Sequence, residues 1–340
     1  MIKILFVADT HLGFDLPFRP RIQRRRRGGD FFDNFKRSLE PALKGEVDCV
    51  VHGGDLLYRS KVPARLVQMA FEPLCRVADH GIPVYVVPGN HERSRIPFRL
   101  LASHPHIHIF NRGRTFLLKS KDHTLALVGF PYVRENVRQG FAHILEQTGW
   151  HQVESDARVL CIHHCVEGAT VSIGARDFTF RYQPDVIRAA DIPGDFAAVL
   201  SGHIHRFQVL TKDLQGRAVA APVLYPGSCE RTSFSEKNED KGYLTVEIGM
   251  GDSGRGDLRG WHFHRLPTRP MIQLPIQAAG LSAPQLQSRL RQDLTPLSPD
   301  SIVQLRIHGP VAPQALPALS AASLRSLAPP TMNLTLTFKP

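Results

Sequence analysis

Five short apolar runs in this chain each deliver a metal-capable side chain at the carboxyl end. Residues 2–8 are followed by Asp9-Thr10-His11, and Val50-Val51-His52-Gly53-Gly54 by Asp55. Residues 82–87 lead into Gly89-Asn90-His91, residues 159–162 into His163-His164, and residues 197–200 into Gly202-His203-Ile204-His205. Short apolar runs bounded by glycine and polar residues read as buried strands. The carboxyl ends of such strands are where open α/β sheets hold ligands. One Gly-Asp or Asp-x-His is common in ordinary turns. Five stretches with the same layout make a cluster, and they constrain the chain to an α/β fold whose strands end together. The cluster reads as a metal site, with Asp55 as the carboxylate shared by two ions.

Side-chain direction refines that reading. On an extended segment residues i and i+2 face the same way, so Asp9 with His11, and His203 with His205, can each reach one ion. Adjacent residues diverge, so Asn90 is assigned to the metal through its carbonyl and His91 is left facing substrate. Only one of His163 and His164 should point inward, and the strand register leaves both open. Gly54 and Gly202 permit close approach of the backbone. A mixed set of carboxylates, an amide and imidazoles suits Mn²⁺, Fe²⁺ or Zn²⁺ better than an all-oxygen or thiolate set does. Mn²⁺ is the first choice, and Mg²⁺ stays among the alternatives. Six or seven ligands are too many for one ion and suit two. Two ions clamp the attacking and leaving oxygens of a phosphoryl displacement, with a metal-activated hydroxide as nucleophile. His91 is then free to protonate the departing alkoxide.

Composition narrows the substrate. A net charge of +11 on 340 residues favours an anionic partner, nucleic acid above all. Six arginines fall within residues 19–27, among them Arg21, Arg24, Arg25, Arg26 and Arg27. Such a run is ordinarily a solvated loop. A few residues from the metal cluster it reads as an arm that grips a phosphate backbone by bidentate hydrogen bonds. Residues 225–232 form a polar loop carrying Arg231, which is either a plain turn or a second phosphate contact. Five cysteines without regular spacing do not make a disulfide framework and imply a reducing compartment. The first residues are too short an apolar stretch for a signal-peptide core. No apolar run approaches the roughly 18 residues that span a bilayer. The expectation is a cytoplasmic protein with no membrane partner.

The order of elements completes the outline. Asp30 is expected to cap a helix carrying Phe31, Phe35, Leu39 and Leu43, and residues 64–79 to form a second helix. Residues 106–130 read as consecutive strands, so a second sheet should stack on the first. Residues 207–210, 222–225 and 243–248 are expected to join that second sheet. After about residue 265 prolines punctuate the chain, and strand-like 271–276, a helix near 283–293 and strand-like 302–307 suggest a small βαβ-type module. Two domains are therefore expected, 1–265 and 266–340, as a two-sheet α/β sandwich with a small C-terminal α+β cap.

Taken in order and spacing, Asp9-x-His11, Gly54-Asp55, Gly89-Asn90-His91, His163 and Gly202-His203-x-His205 resemble the calcineurin-type metallophosphoesterase superfamily. The likeness covers roughly residues 1–250. Within it, Pro88-Gly89-Asn90-His91-Glu92 and Tyr225-Pro226-Gly227-Ser228-x-Glu230-Arg231-x-x-Phe234-x-Glu236 with Lys241-Gly242 resemble the SbcD-type DNA-repair nucleases, the Mre-type nuclease family. Glu92 stands where that family often has Asp. The resemblance implies that Asp9, His11, Asp55 and His205 bind one metal and that Asp55, Asn90, His163 and His203 bind the other, with His91 catalytic. It thereby favours His163 over His164. It implies a metal-dependent DNA exonuclease or endonuclease acting in repair, whose residues after 265 are a reduced capping domain that shapes the DNA groove. Its implied partners are DNA, an SbcC-type SMC-like ATPase docked through a helical segment that does not occur before Pro340, and a second copy of the chain. The early helices, residues 31–43 and 64–79, would form the dimer contact. The same five motifs fit a phosphoesterase for a small-molecule phosphodiester or a phosphoprotein. A catalytically inert DNA-binding scaffold would have lost ligands, and none is missing.

Overall fold

The computed structural model of the chain describes residues 1–15, 25–92, 104–120, 123–174, 176–249 and 256–339. Among them are two six-stranded sheets. The first runs, in spatial order, Asp257–Arg265, Gly242–Gly249, Ile2–Val7, Cys49–His52, Val84–Val86 and Ile107–Ile109. Its last four strands are parallel and its first two antiparallel. The second runs Gln208–Lys212, Ala218–Tyr225, Ala198–Ser201, Ala157–Ile162, His123–Gly129 and Arg114–Ser120. Its four central strands are parallel, with an antiparallel strand at each edge.

The two sheets share one core. Ile4, Phe6, Val51, Tyr85, Leu244 and Val246 from the first pack with Leu125, Leu127, Val159, Cys161, Leu200 and Leu224 from the second, all buried. Strands covered on both faces must be nearly continuously apolar, which is why the runs before Asp9, Asp55 and His163 stand out in the sequence. The far face of the second sheet is covered by the helix Val137–Glu146 through Val137, Phe141 and Leu145. The helix Ala64–Asp79 packs beside Val84–Val86 and Ile107–Ile109 and runs through Pro73.

The sandwich is as expected, but several elements differ from the sequence reading. Residues 243–248 were expected in the second sheet; they pair with Ile2–Val7 in the first. Ile107–Ile109 also extends the first sheet rather than opening the second. Asp257–Arg265 was not foreseen as a strand, and neither was Asn333–Lys339. Apolar alternation identifies a strand but carries no information about its neighbour. The first helix begins at Arg27, so Asp30 does not cap it and instead sits in its first turn, where a carboxylate still complements the helix dipole. That helix ends at Ser38, and a separate turn of helix, Glu40–Leu43, follows with Pro41 in its first turn, where the missing N–H costs nothing.

The described chain forms two compact units. One is Met1–Phe14 with Asp30–Pro267; the other takes Thr268–Pro340 with the described residues of Asp15–Gly29, which the sequence reading had assigned to the first domain. The second unit has three parallel strands, Met271–Gln277, Ile302–His308 and Asn333–Lys339. Its helix Ala283–Leu294 buries Leu286, Leu290 and Leu294 against Val303, Leu305 and Ile307. Arg25 belongs here: its N–H donates to the Pro330 carbonyl, and Asn333 Nδ2 donates to the Arg25 carbonyl. Among the described residues no helix is long and apolar enough to cross a membrane.

In the first unit, one carboxylate ties the loops at the strand ends. Buried Glu92 accepts backbone N–H bonds from Asp55 (2.9 Å), Leu57 (2.9 Å) and Gly89 (2.7 Å). Leaving a buried donor unsatisfied costs about 1–3 kcal/mol, so Glu92→Ala should destabilise the protein by about 3 kcal/mol or more in denaturant unfolding. A midpoint equal to wild type would show that the loops hold without it. In the shared core, Leu244→Ala should cost about 2–5 kcal/mol by the same measurement.

Candidate metal centre

All eight residues expected as metal ligands or catalytic lie in the first unit, just past the carboxyl ends of five strands. Ile2–Val7, Cys49–His52 and Val84–Val86 of the first sheet present Asp9 with His11, Asp55, and Asn90 with His91. Ala157–Ile162 and Ala198–Ser201 of the second present His163, and His203 with His205. Ligand atoms come together in three groups: Asp9, His11 and His205; His11, Asp55 and His91; and Asp55, His163 and His203. Asp55 is common to the last two. His11 Nε2 lies 2.8 Å from His205 Nε2. Asn90 Oδ1 lies 3.1 Å from both His163 Nε2 and His203 Nδ1.

The backbone is bent to bring this about. Asp9, His11, Asp55 and His203 have φ of 51°, 44°, 51° and 82°. Left-handed conformations are unusual for residues other than glycine and persist only where the surroundings impose them. Here the turns are laced together: Asp9 N–H donates to the Gly54 carbonyl, His11 N–H to the Asp55 carbonyl, and His203 N–H to the Asp9 carboxylate at 2.9 Å. Glycine is required at two contact points. A Cβ on Gly202 would lie 2.2 Å from the Gly53 carbonyl oxygen, and one on Gly89 would lie 2.5 Å from the Asp55 nitrogen.

Adjacent histidines part company as strand geometry demands. His163 turns into the cluster, with Nδ1 donating to the Gly53 carbonyl at 2.7 Å and Nε2 3.4 Å from Asp55 Oδ2. His164 turns away, accepts the Val133 N–H at Nε2 and stacks on Tyr132. His91 is 30 % exposed and holds its place through a backbone N–H to Asp55 Oδ1; its Nε2 is 3.9 Å from Asp55 Oδ2. Its exposure is close to that of His205, at 28 %.

Electrostatics show what the pocket wants. Burial pushes Asp9 up to about 6, against the pull of His163 and His205. Burial and the neighbouring His163 take His203 down to about 3, and burial and His205 hold His11 well below the usual imidazole range. Burial opposes a charge on His163, yet Asp55 and Asp9 push it up to about 9. Burial likewise opposes ionisation of Asp55, but His163 holds it well below the usual carboxylate range. Neutral His11 and His203 and an ionised Asp55 thus converge, with His163 held in its charged form beside Asp55. His11 Nδ1 and His91 Nδ1 are buried without a hydrogen-bond partner among the described residues. Such a mixed nitrogen and oxygen donor set fits divalent cations.

Three contributors escaped the sequence reading. Glu92 was seen only as a motif letter. His52 accepts the Gly54 N–H at Nδ1 (3.3 Å) and meets Thr10 Oγ1 through Nε2 (3.2 Å), fixing the turn before Asp55. Glu236 reaches His205 Nδ1 at 3.2 Å. None has a spacing signal, because each also reaches a residue far away in sequence: Glu92 to Asp55, His52 to Thr10 and Glu236 to His205. Of the expected DNA contacts, Arg21 and Arg24 lie outside the described residues. Arg25 pairs with Asp300 at 3.5 Å and Arg26 with Asp15. Arg27 is buried at the start of its helix. Arg231, expected on a phosphate-binding loop, is buried, and its guanidinium donates to the Glu239 carbonyl from Nε (3.1 Å) and Nη2 (2.9 Å).

Known proteins resemble this chain in sequence. The chain is similar to the DNA double-strand break repair protein Mre11 of Haloferax volcanii, 31% identical over 91% of this chain and 62% of that protein. It is similar to the protein of the same name from Methanococcus maripaludis, 25% identical over 73% of this chain and 63% of that one, and from Thermoplasma acidophilum, 24% identical over 90% and 76%. The chain thus spans less than two thirds of the length of the first two. The family profile described as calcineurin-like phosphoesterase matches residues 2–207. Since that match runs from the strand delivering Asp9 through the turn that carries His203 and His205, the chain belongs to the calcineurin-like phosphoesterase family.

Proposed function

We propose that the chain is a metal-dependent DNA nuclease that acts in DNA repair or processing. Members of its family use divalent metals, and in this reading Asp9, His11, Asp55 and His205 hold one cation while Asp55, Asn90, His163 and His203 hold the other. Mn²⁺ suits this mixture of imidazole, carboxylate and amide donors best. When bound, the cations supply positive charge to the phosphoryl oxygens and lower the pKa of water to furnish the nucleophile.

The side chains do the rest. Asp55 brings negative charge to both positions and, through the His91 N–H, sets where that ring stands. His91, partly exposed at the mouth of the cluster, donates a proton to the oxygen that leaves as the P–O bond breaks. Buried strands and the apolar core below the cluster keep the donors fixed, so little reorganisation accompanies the reaction. The observation that carries the reading is the convergence of donors from five strand ends on one space, with the His91 ring partly exposed beside them. Support for DNA as substrate comes from the net charge of +11, the arginine-rich segment 19–27 and the relatives named as double-strand break repair proteins.

Purified protein incubated with linear duplex DNA and Mn²⁺ should degrade it, and EDTA should abolish the activity. His91→Ala should slow degradation by about 10²–10⁴-fold, the range of a lost general acid. DNA binding should weaken steeply between about 50 and 200 mM salt as counterions compete for the phosphates. Hydrolysis of an aryl phosphodiester with DNA left intact would keep the metal chemistry and reject DNA as the substrate.

A further inference from the structure

Lys241 is a fully buried lysine, and the reaction scheme above does not use it. Its ammonium has three N–H bonds to place, and three acceptors meet it: Glu236 Oε2 at 2.7 Å, Glu239 Oε2 at 3.0 Å and the His205 carbonyl at 2.8 Å. Glu236 in turn is held on every side. Its Oε1 accepts from Thr232 Oγ1 at 2.6 Å and faces His205 Nδ1 at 3.2 Å, and its Oε2 accepts the Thr232 N–H. Ring and backbone of His205 are therefore tied to the same ion pair.

A carboxylate only accepts hydrogen bonds. Facing Glu236, His205 Nδ1 must carry the proton, which leaves the Nε2 lone pair pointing at His11 Nε2, 2.8 Å away, and toward Asp9 Oδ1 at 3.9 Å. A carboxylate behind a ligating imidazole also makes its inner nitrogen a stronger donor. His163 is anchored differently, by the neutral Gly53 carbonyl, and His11 Nδ1 has no partner. Among the described residues, the cluster's only imidazole backed at its outer nitrogen by a carboxylate is His205. Neutralising Lys241 does not account for this arrangement, because Glu239 already supplies a charge that touches no histidine ring.

We propose that Glu236, gripped by Lys241, is the positioning residue that fixes His205 as a ligand and strengthens the cation position of Asp9, His11 and His205 relative to that of Asp55, Asn90, His163 and His203. This rests on the two-cation reading above. In Glu236→Gln the ammonium of Lys241 attracts the amide oxygen, so the amide NH₂ turns to His205 Nδ1 and imposes the opposite tautomer, with the proton on Nε2.

Two readouts test this on the full chain. In Mn²⁺ titration calorimetry, Glu236→Gln should lose about 10–100-fold in affinity at one of two positions and little at the other. Glu239→Gln, which removes the same charge beside Lys241 without contact to the ring, should leave both affinities as in wild type. In long-range ¹H–¹⁵N spectra of ¹⁵N-histidine protein recorded without metal, one imidazole should change from the Nδ1–H to the Nε2–H tautomer in Glu236→Gln alone. Should that variant fail to fold, Glu236→Asp draws the oxygen back by one methylene and should show the same selective loss of affinity. Unchanged tautomers with unchanged affinities would overturn the proposal, as would equal weakening of both positions in the Glu236 and Glu239 variants. Wild-type protein that binds fewer than two Mn²⁺ would overturn the two-cation reading itself, and the metal-free spectra would still decide whether Glu236 sets the His205 tautomer.

Discussion

Ring nitrogens and an amide oxygen crowded to hydrogen-bond distance around one space are the central constraint on this molecule. His11 and His205 bring ring nitrogens to 2.8 Å, and Asn90 Oδ1 sits 3.1 Å from two more. Each of these contacts needs a proton or a cation between its lone pairs, and no flexible loop would sustain them together. Four of the residues involved also adopt left-handed backbone conformations, each costing about 1–3 kcal/mol. Two six-stranded sheets with a common apolar core are what hold the chain in this position.

The strain is distributed through contacts made away from the cluster. Glu92 gathers three backbone N–H groups from the Asp55 and Gly89 turns. His52 closes the turn ahead of Asp55, and the Gly53 carbonyl orients His163. The Asp9 carboxylate accepts the His203 N–H, which links the ends of two strands in different sheets. His91 is anchored at its backbone while its ring stays partly in solvent.

Charge is less simply distributed than the basic composition suggests. Arg25 and Arg26 pair with Asp300 and Asp15, Arg231 is buried on a main-chain carbonyl, and Lys241 is fully enclosed with two glutamates. Part of the excess positive charge therefore serves the architecture. A guanidinium can satisfy several carbonyls at once, which makes an arginine in a signature loop as apt to be a brace as a phosphate contact.

Much of the cluster was legible in the amino-acid sequence, and the reason is periodicity. Strands buried on both faces must be apolar throughout, so the polar residue at the end of each one is conspicuous, and Asp9, His11, Asp55, Asn90, His203 and His205 could be read off in order. Residue spacing also indicated which pairs face the same way. It was silent on His163 against His164 and on which sheet residues 107–109 and 243–248 would join, because sheet neighbours are selected by packing and hydrogen-bond register between segments distant in sequence. For the same reason Glu92, His52 and Glu236 were invisible as supports. Sequence alone determined the chemistry available and the strands that present it, since both depend on local residue order. Only the tertiary structure decided which donors meet, which histidine turns inward and which charges are spent on holding them there, since those are properties of three-dimensional proximity.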